Sequence, residues 1–201
     1  MQERFGGVMK RLKYLMTLAL ILVFGIMIYY YYVNKDTETD DNKDDVEVSE
    51  VDKLLAKDLD DNYPKTAREV VSYFVSIQEC YYNEEYTDDK LVQLSYQAMK
   101  LFDNELIENN EFDEYYENLG LEIDEYKSSE KTITKTILDK ASDIIYSEID
   151  GVRYASMNCI YYLKTEDETT KVTEKYALRC DDEGKWKILG WEIYTPSDYE
   201  E

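Results

Sequence analysis

Twenty consecutive positions, Tyr14 to Val33 (YLMTLALILVFGIMIYYYYV), carry no charge and no proline. A helix of that length, at about 1.5 Å per residue, spans roughly 30 Å, the hydrocarbon thickness of a bilayer. A cleavable signal has a shorter apolar core, about 7–15 residues, ahead of a small-residue cleavage site. This run is longer and ends in Tyr29, Tyr30, Tyr31 and Tyr32 with no such site. Tyrosine suits the membrane interface, with its ring half-buried and its hydroxyl wet. The pattern predicts an uncleaved anchor with residues 14–33 in the lipid bilayer. A buried helix of a soluble protein fits poorly, because no polar face breaks the run.

After the anchor the pattern turns polar. Residues 34–61 (NKDTETDDNKDDVEVSEVDKLLAKDLDD) hold too little apolar surface in their first part to offset chain entropy, and read as an extended acidic linker. Val51, Leu54, Leu55 and Leu59 have helical spacing, so a short helix is expected just before the folded domain. Thr66 and Glu69 then form a capping-box pattern ahead of a helix from Ala67 to about Asn83, with Val70, Phe74, Ile77 and Tyr81 on one stripe. Thr87 caps a second expected helix, Asp88 to about Asn109, whose apolar face is Leu91, Leu94, Ala98, Leu101, Phe102 and Leu106. A third, weaker helix covers Glu111 to Lys127 and is expected to be interrupted near Gly120.

From Lys131 the period changes from about 3.6 to 2. Strands are predicted at 131–138, 143–149, 152–164, 171–181 and 185–194. Asp150-Gly151 is a strong two-residue hairpin signal and pairs Ile149 with Val152, Glu148 with Arg153 and Tyr146 with Ala155. Asp182-Glu183-Gly184 reads as a three-residue loop with Gly184 in the left-handed position, placing Trp186 beside Cys180 and Ile188 beside Leu178. The simplest register for the middle hairpin sets Cys159 opposite Tyr176 and Glu174 opposite Tyr161. One continuous apolar face results: Ile144, Tyr146, Met157, Cys159, Tyr161, Tyr176, Leu178, Cys180, Trp186 and Ile188, to be covered by the helices.

The other face is expected to carry Ile160, Tyr162, Leu189, Trp191 and Ile193, which is too apolar for open solvent. Either the 131–138 strand or the C-terminal tail covers it, or it is a surface for a homodimer or another envelope protein.

Charge narrows the classes. The 201 residues include 45 acidic and 23 basic side chains, a formal net charge of −22. Such a surface repels phosphate backbones and anionic lipid heads, which excludes nucleic acid as a partner and holds the domain off the bilayer. Arg4, Lys10, Arg11 and Lys13 precede the anchor and an acid-rich tract follows it, so the positive-inside rule puts the N-terminus in the cytoplasm and the C-terminal domain outside; Lys35 and Lys43 are a minor counter-signal. The divisions expected are thus a cytoplasmic arm (1–13), a transmembrane helix (14–33), an acidic linker (34–61) and an extracytoplasmic α+β domain (62–201).

The absence of histidine removes the usual general base, the Ser-His-Asp triad and His-containing zinc sites. Cys80, Cys159 and Cys180 make no metal-ligand spacing and are expected as free, buried thiols. An EF-hand loop beginning at Asp36 would need glycine where Asp41 stands. No metal and no cofactor is expected.

Helices followed by a meander of long strands ending in GKWKILGW (184–191) resemble the cone-shaped α+β fold of nuclear transport factor 2 and the polyketide-cyclase-like proteins. The basic arm, single span, acidic linker, Tyr63-Pro64-Lys65-Thr66-Ala67-Arg68-Glu69-Val70-Val71, Cys80-Tyr81-Tyr82-Asn83-Glu84-Glu85 and DDEGKWKILGW (181–191) together resemble a domain-of-unknown-function family of single-pass, membrane-anchored proteins of Gram-positive bacteria. That resemblance implies architecture and location at the cell membrane. It implies no catalytic residues.

Two functional classes stay open. One is a tethered, non-catalytic binding or scaffolding module, joined to a partner through Ile160, Tyr162, Leu189, Trp191 and Ile193. The other is a small-ligand binder or enzyme using the interior of the cone, with Tyr146, Tyr161 and Tyr176 supplying hydroxyls and Glu174 a carboxyl whose pKa burial would raise. A third role, as an accessory to envelope assembly, draws only on tethering.

Overall fold

Residues 48–194 are described by the computed structural model. The expected anchor, the cytoplasmic arm, most of the acidic tract and the C-terminal tail lie outside the described residues. No helix among the described residues is long and apolar enough to cross a membrane.

Thr66 starts the main helix as its spacing predicts. Its side chain accepts from the Glu69 amide, and the Glu69 carboxylate accepts from the Thr66 and Lys65 amides at 3.1 and 2.8 Å. Three backbone amides are thereby satisfied at the start of the helix. This helix is α2 (Ala67–Asn83), and its Val70, Phe74, Ile77 and Tyr81 are all buried. Before it, α1 (Glu50–Leu55) is capped by Ser49. Here the expected linker needs correction. From Val48 onward the chain is packed on the fold: Val51 and Leu59 are fully buried, and the Tyr73 hydroxyl donates to the Leu54 carbonyl at 2.8 Å. Four apolar residues at helical spacing supply enough buried surface to order the segment.

The second expected helix is divided. α3 (Asp88–Met99) ends before Leu101, and α4 (Asn104–Asn109) restarts at Asp103, whose carboxylate accepts from the Glu105 amide at 2.9 Å. Between them Leu101 and Asp103 bond the backbone of Ile188, each at 2.8 Å. The edge of the last strand takes two hydrogen bonds from this segment, which continuing the helix would forfeit. α5 (Phe112–Ser128) runs through Gly120 without interruption.

The strands are β1 (Thr132–Leu138), β2 (Ile145–Ile149), β3 (Val152–Lys164), β4 (Thr169–Cys180) and β5 (Trp186–Ile193). They make one antiparallel sheet in the order β1-β3-β4-β5, with β2 also paired to β3. β1 and β2 share one flank of the long β3. At their junction the Asp139 carboxylate accepts from the Asn158 amide at 2.7 Å and from its side chain at 3.0 Å. The protein is therefore α+β, with helices on a five-stranded antiparallel sheet.

The Asp150-Gly151 hairpin has the predicted register, with both turn residues at positive φ (52° and 81°). Gly184, at φ 81°, closes the last hairpin as expected, with Trp186 opposite Cys180. Two registers differ from expectation. β3 and β4 are offset by two residues, so Met157 faces Tyr176, and Cys159 rather than Tyr161 faces Glu174. An even slip keeps every side chain on its face. The β4–β5 pairing contains a bulge: Leu178 faces Ile188 but Ala177 faces Gly190, which leaves Leu189 as the extra residue. A bulge is an odd slip. It carries Trp191 and Ile193 onto the helix-covered face, opposite Tyr176 and Glu174.

The expected core face is buried at Ile144, Met157, Cys159, Tyr161, Tyr176, Leu178, Cys180, Trp186 and Ile188, and Tyr146 departs from it at 53 % exposure. β1 does not cover the outer face; it is an edge strand within the sheet. The three cysteines are free and buried.

Candidate functional site

Helical spacing on α2 sends Phe74, Gln78, Tyr81 and Tyr82 to one side, at i, i+4, i+7 and i+8. On α5 the same rule aligns Tyr115, Asn118, Leu119 and Glu122. These two stripes, with Phe102 and Leu106 from the α3–α4 region and Glu174 and Trp191 from the sheet, wall a cavity of about 210 Å³. Trp191 is 5.1 Å from Phe74 and 5.7 Å from Phe102, centroid to centroid, and stacks on Tyr176 at 6.1 Å. Tyr82 stacks on Tyr126 at 4.0 Å near the α5 side of the wall.

Behind the wall lies a hydrogen-bonded chain of oxygens. Glu174 Oε2 and the Tyr176 hydroxyl are 2.6 Å apart, the Tyr176 and Tyr161 hydroxyls 2.6 Å, and Tyr161 and Gln78 Oε1 2.7 Å. With Gln78 Oε1 accepting, two hydroxyl protons cannot fill three such contacts; with Glu174 ionised, the Gln78 amide has to turn and donate. A proton on Glu174 fills them all, each group donating to the next and Gln78 accepting last. Burial drives the Glu174 carboxyl above its ordinary range; hydrogen bonds from Tyr176 and Tyr161 oppose this, and the Glu122 charge adds to it. The same burial raises the pKa values of Tyr161, Tyr176 and Tyr82, pushes Tyr115 up to about 12, and so keeps these phenols neutral.

Tyr81 is among the residues of the wall, and its hydroxyl is fully buried with no hydrogen-bond partner. Tyr115 and Ser95 stand near enough to influence its proton but outside bonding geometry. A buried hydroxyl without a partner costs about 1–3 kcal/mol.

Of the residues expected at a ligand site, Tyr161, Glu174 and Tyr176 are brought together. Tyr146 is not: it sits on β2 against Trp186, at 5.6 Å, beyond the reach of the helices. Of the residues expected on an outer interface, Ile160 and Tyr162 are on that face, Leu189 is the bulge residue, and Trp191 and Ile193 are on the opposite one. Gln78, Tyr81, Tyr82, Tyr115 and Glu122 were not anticipated. Gln78 was detectable, as a polar residue four positions after Phe74 inside an apolar stripe. Glu122 was not, since α5 carries many acids and only packing singles one out.

Among the described residues no group of three or more Cys, Asp or Glu side chains converges to hold a metal. No curated protein matches the chain. The chain belongs to the family described as "Domain of unknown function (DUF6715)", which matches it over residues 1–191.

Proposed function

We propose that this chain is a membrane-tethered module that binds a small ligand in the cavity between α2, α5 and the sheet. Residues 14–33 form its single-pass anchor, the arm before them is cytoplasmic, and the domain is extracytoplasmic. Its α+β build fits the cone-shaped fold of nuclear transport factor 2, and its anchor fits a single-pass protein of a Gram-positive envelope.

The observation that carries the ligand reading is the hollow itself. The core around it is packed with side chains, yet about 210 Å³ remains beside Gln78, Tyr81, Glu122 and Glu174. Convergent polar groups in an aromatic wall are what a binding pocket requires, whereas a purely structural core would close. No nucleophile–base pair accompanies them, so binding is favoured over catalysis.

A thermal-shift panel of small metabolites on the full-length chain tests this, with Asn118→Trp as control. Asn118 is an exposed residue at the cavity rim, so an indole there obstructs entry at little cost to folding. At least one compound should raise the melting temperature of the native chain and not of the variant. A panel without such a compound removes the reading. The tether is tested separately by alkaline extraction of membranes, which should leave the chain in the pellet.

A second reading, a surface for a second copy or an envelope protein, has one observation in its favour. On the outer face Ile145 and Ile149 of the edge strand β2 are 67 % and 59 % exposed, and Ile137 of β1, farther along β3, is 38 % exposed. Trp191, placed there by sequence, is no longer available to it.

A further inference from the structure

We propose that the cavity takes a small organic cation of the alkylammonium class, held against the rings of Tyr82 and Trp191 and neutralised by Glu122 and Glu174. This rests on the reading that the cavity binds a ligand at all.

The wall contains two carboxyl groups and no lysine or arginine. The recess beside β4 and β5 includes Arg153, Arg179 and Lys187, and the groove along the start of α2 includes Lys57, Lys65 and Arg68; the recess between α1 and α2 has Glu50, Glu79 and Glu84 without a basic residue, but no aromatic ring. A wall of aromatic rings and carboxyls without a competing cation is the arrangement that attracts a poorly hydrated positive charge. An anionic guest would meet only like charge. A hard divalent ion asks for six or more oxygen ligands, and ring faces supply none. The overall charge of −22 draws cations toward the protein from a distance.

Size limits the guest. About 210 Å³ is the share of roughly seven waters at ~30 Å³ each, and lies below the ~300 Å³ at which drug-sized pockets begin. A quaternary or primary ammonium carrying a short hydroxylated tail fits.

Binding should also move a proton. With Glu174 protonated the chain runs Glu174 to Tyr176 to Tyr161 to Gln78. A cation beside Glu174 favours its carboxylate, so the proton leaves to solvent. The chain then reverses: the Gln78 amide turns to donate to Tyr161, Tyr161 to Tyr176, and Tyr176 to Glu174. The titratable groups around Glu174 are Tyr176 on its own strand, Tyr161 and Cys159 on β3, and Glu122 and Tyr126 on α5. Among them Glu122 is the only other carboxyl.

The test is calorimetry on the full-length chain in a maltoside detergent. The probes are choline, its uncharged isostere 3,3-dimethyl-1-butanol, and calcium chloride. Choline should bind at least about tenfold more tightly than the alcohol. Its apparent enthalpy should differ between phosphate and Tris buffers, reporting proton release, and Glu174→Gln should abolish that difference. Glu122→Gln, at a solvent-facing helix position, should weaken choline and leave the alcohol unchanged. Equal affinity for choline and the alcohol would overturn the cation while keeping a ligand-binding cavity. Binding of calcium alone would also overturn it. If choline, the alcohol and every member of the metabolite panel fail, the cavity reading falls with it.

Discussion

Trp191 lies directly opposite Tyr176 across β4 and β5, its ring stacked on the tyrosine at 6.1 Å and 26°, because Leu189 occupies a bulge. In a regular ladder, with Leu189 paired to Ala177, Trp191 would face Lys175 and point to the outer face. One unpaired residue thus transfers the second tryptophan of β5 from a surface to the cavity wall.

Trp191→Ala should therefore destabilise the fold by about 2–3 kcal/mol, less than a fully buried tryptophan because 36 % of it is exposed. Tyr162→Ala on the outer face should cost under about 1 kcal/mol. Urea midpoints of the two variants check this, and equal losses would place Trp191 outside the core.

Glu174 gives a pH dependence. Burial raises its folded-state pKa above the unfolded value of about 4.3. A raised carboxyl contributes stability that is fully present below the unfolded pKa and is lost as pH rises through the folded one. Glu174→Gln removes that titration. The stability difference, native minus variant, should fall as pH rises above about 4 and level off only once the folded carboxyl has ionised. A difference that stays constant over that range would contradict the neutral carboxyl.

The hydroxyl chain should behave as one unit. Tyr161→Phe breaks the contacts to Gln78 and Tyr176 and should cost about 1–2 kcal/mol, and Tyr176→Phe a similar amount. The double variant should cost less than the sum by at least about 0.5 kcal/mol. Strict additivity in denaturant melts would mean that the two hydroxyls act independently.

Asp103 joins two parts of the chain. Its carboxylate caps α4 and also pairs with Arg179, which donates from Nε at 2.9 Å and from Nη2, while the Arg179 guanidinium also reaches Glu105 at 3.3 Å. Asp103 is 5 % exposed, whereas Arg179 keeps a route to water. Asp103→Ala should cost about 1–3 kcal/mol, the sum of a lost cap and a partly solvated ion pair. Glu105→Ala, which removes an exposed contact alone, should cost under about 0.5 kcal/mol in the same thermal melts.

Two glycines should respond in opposite directions. Gly120 lies inside α5 with open space where a Cβ would stand, so Gly120→Ala should stabilise by about 0.5–1 kcal/mol. Gly184 has φ 81°, so Gly184→Ala should cost about 1–2 kcal/mol even though the space is open. Chemical denaturation distinguishes the signs.

Local chemistry made much of the fold legible in the sequence. The capping box at Thr66 and Glu69, the Asp150-Gly151 turn and the left-handed Gly184 act through neighbours a few residues away, so element types, both tight hairpins and most of the core face could be read directly. The charge-free run at 14–33 is likewise a property of the sequence alone. Tertiary structure decided what depends on distant partners. The break after Met99 follows from hydrogen bonds to Ile188, the ordering of residues 48–61 from apolar surface supplied by the rest of the fold, and the two-residue offset of β3 on β4 from pairing along their whole length. The bulge at Leu189 lets Trp191 reach Phe74 and Phe102, contacts that no local rule contains. The cavity is of the same kind. Tyrosines and glutamates are common along this chain, and only the packing of two helices over the sheet selects Tyr81, Glu122 and Glu174 from the rest.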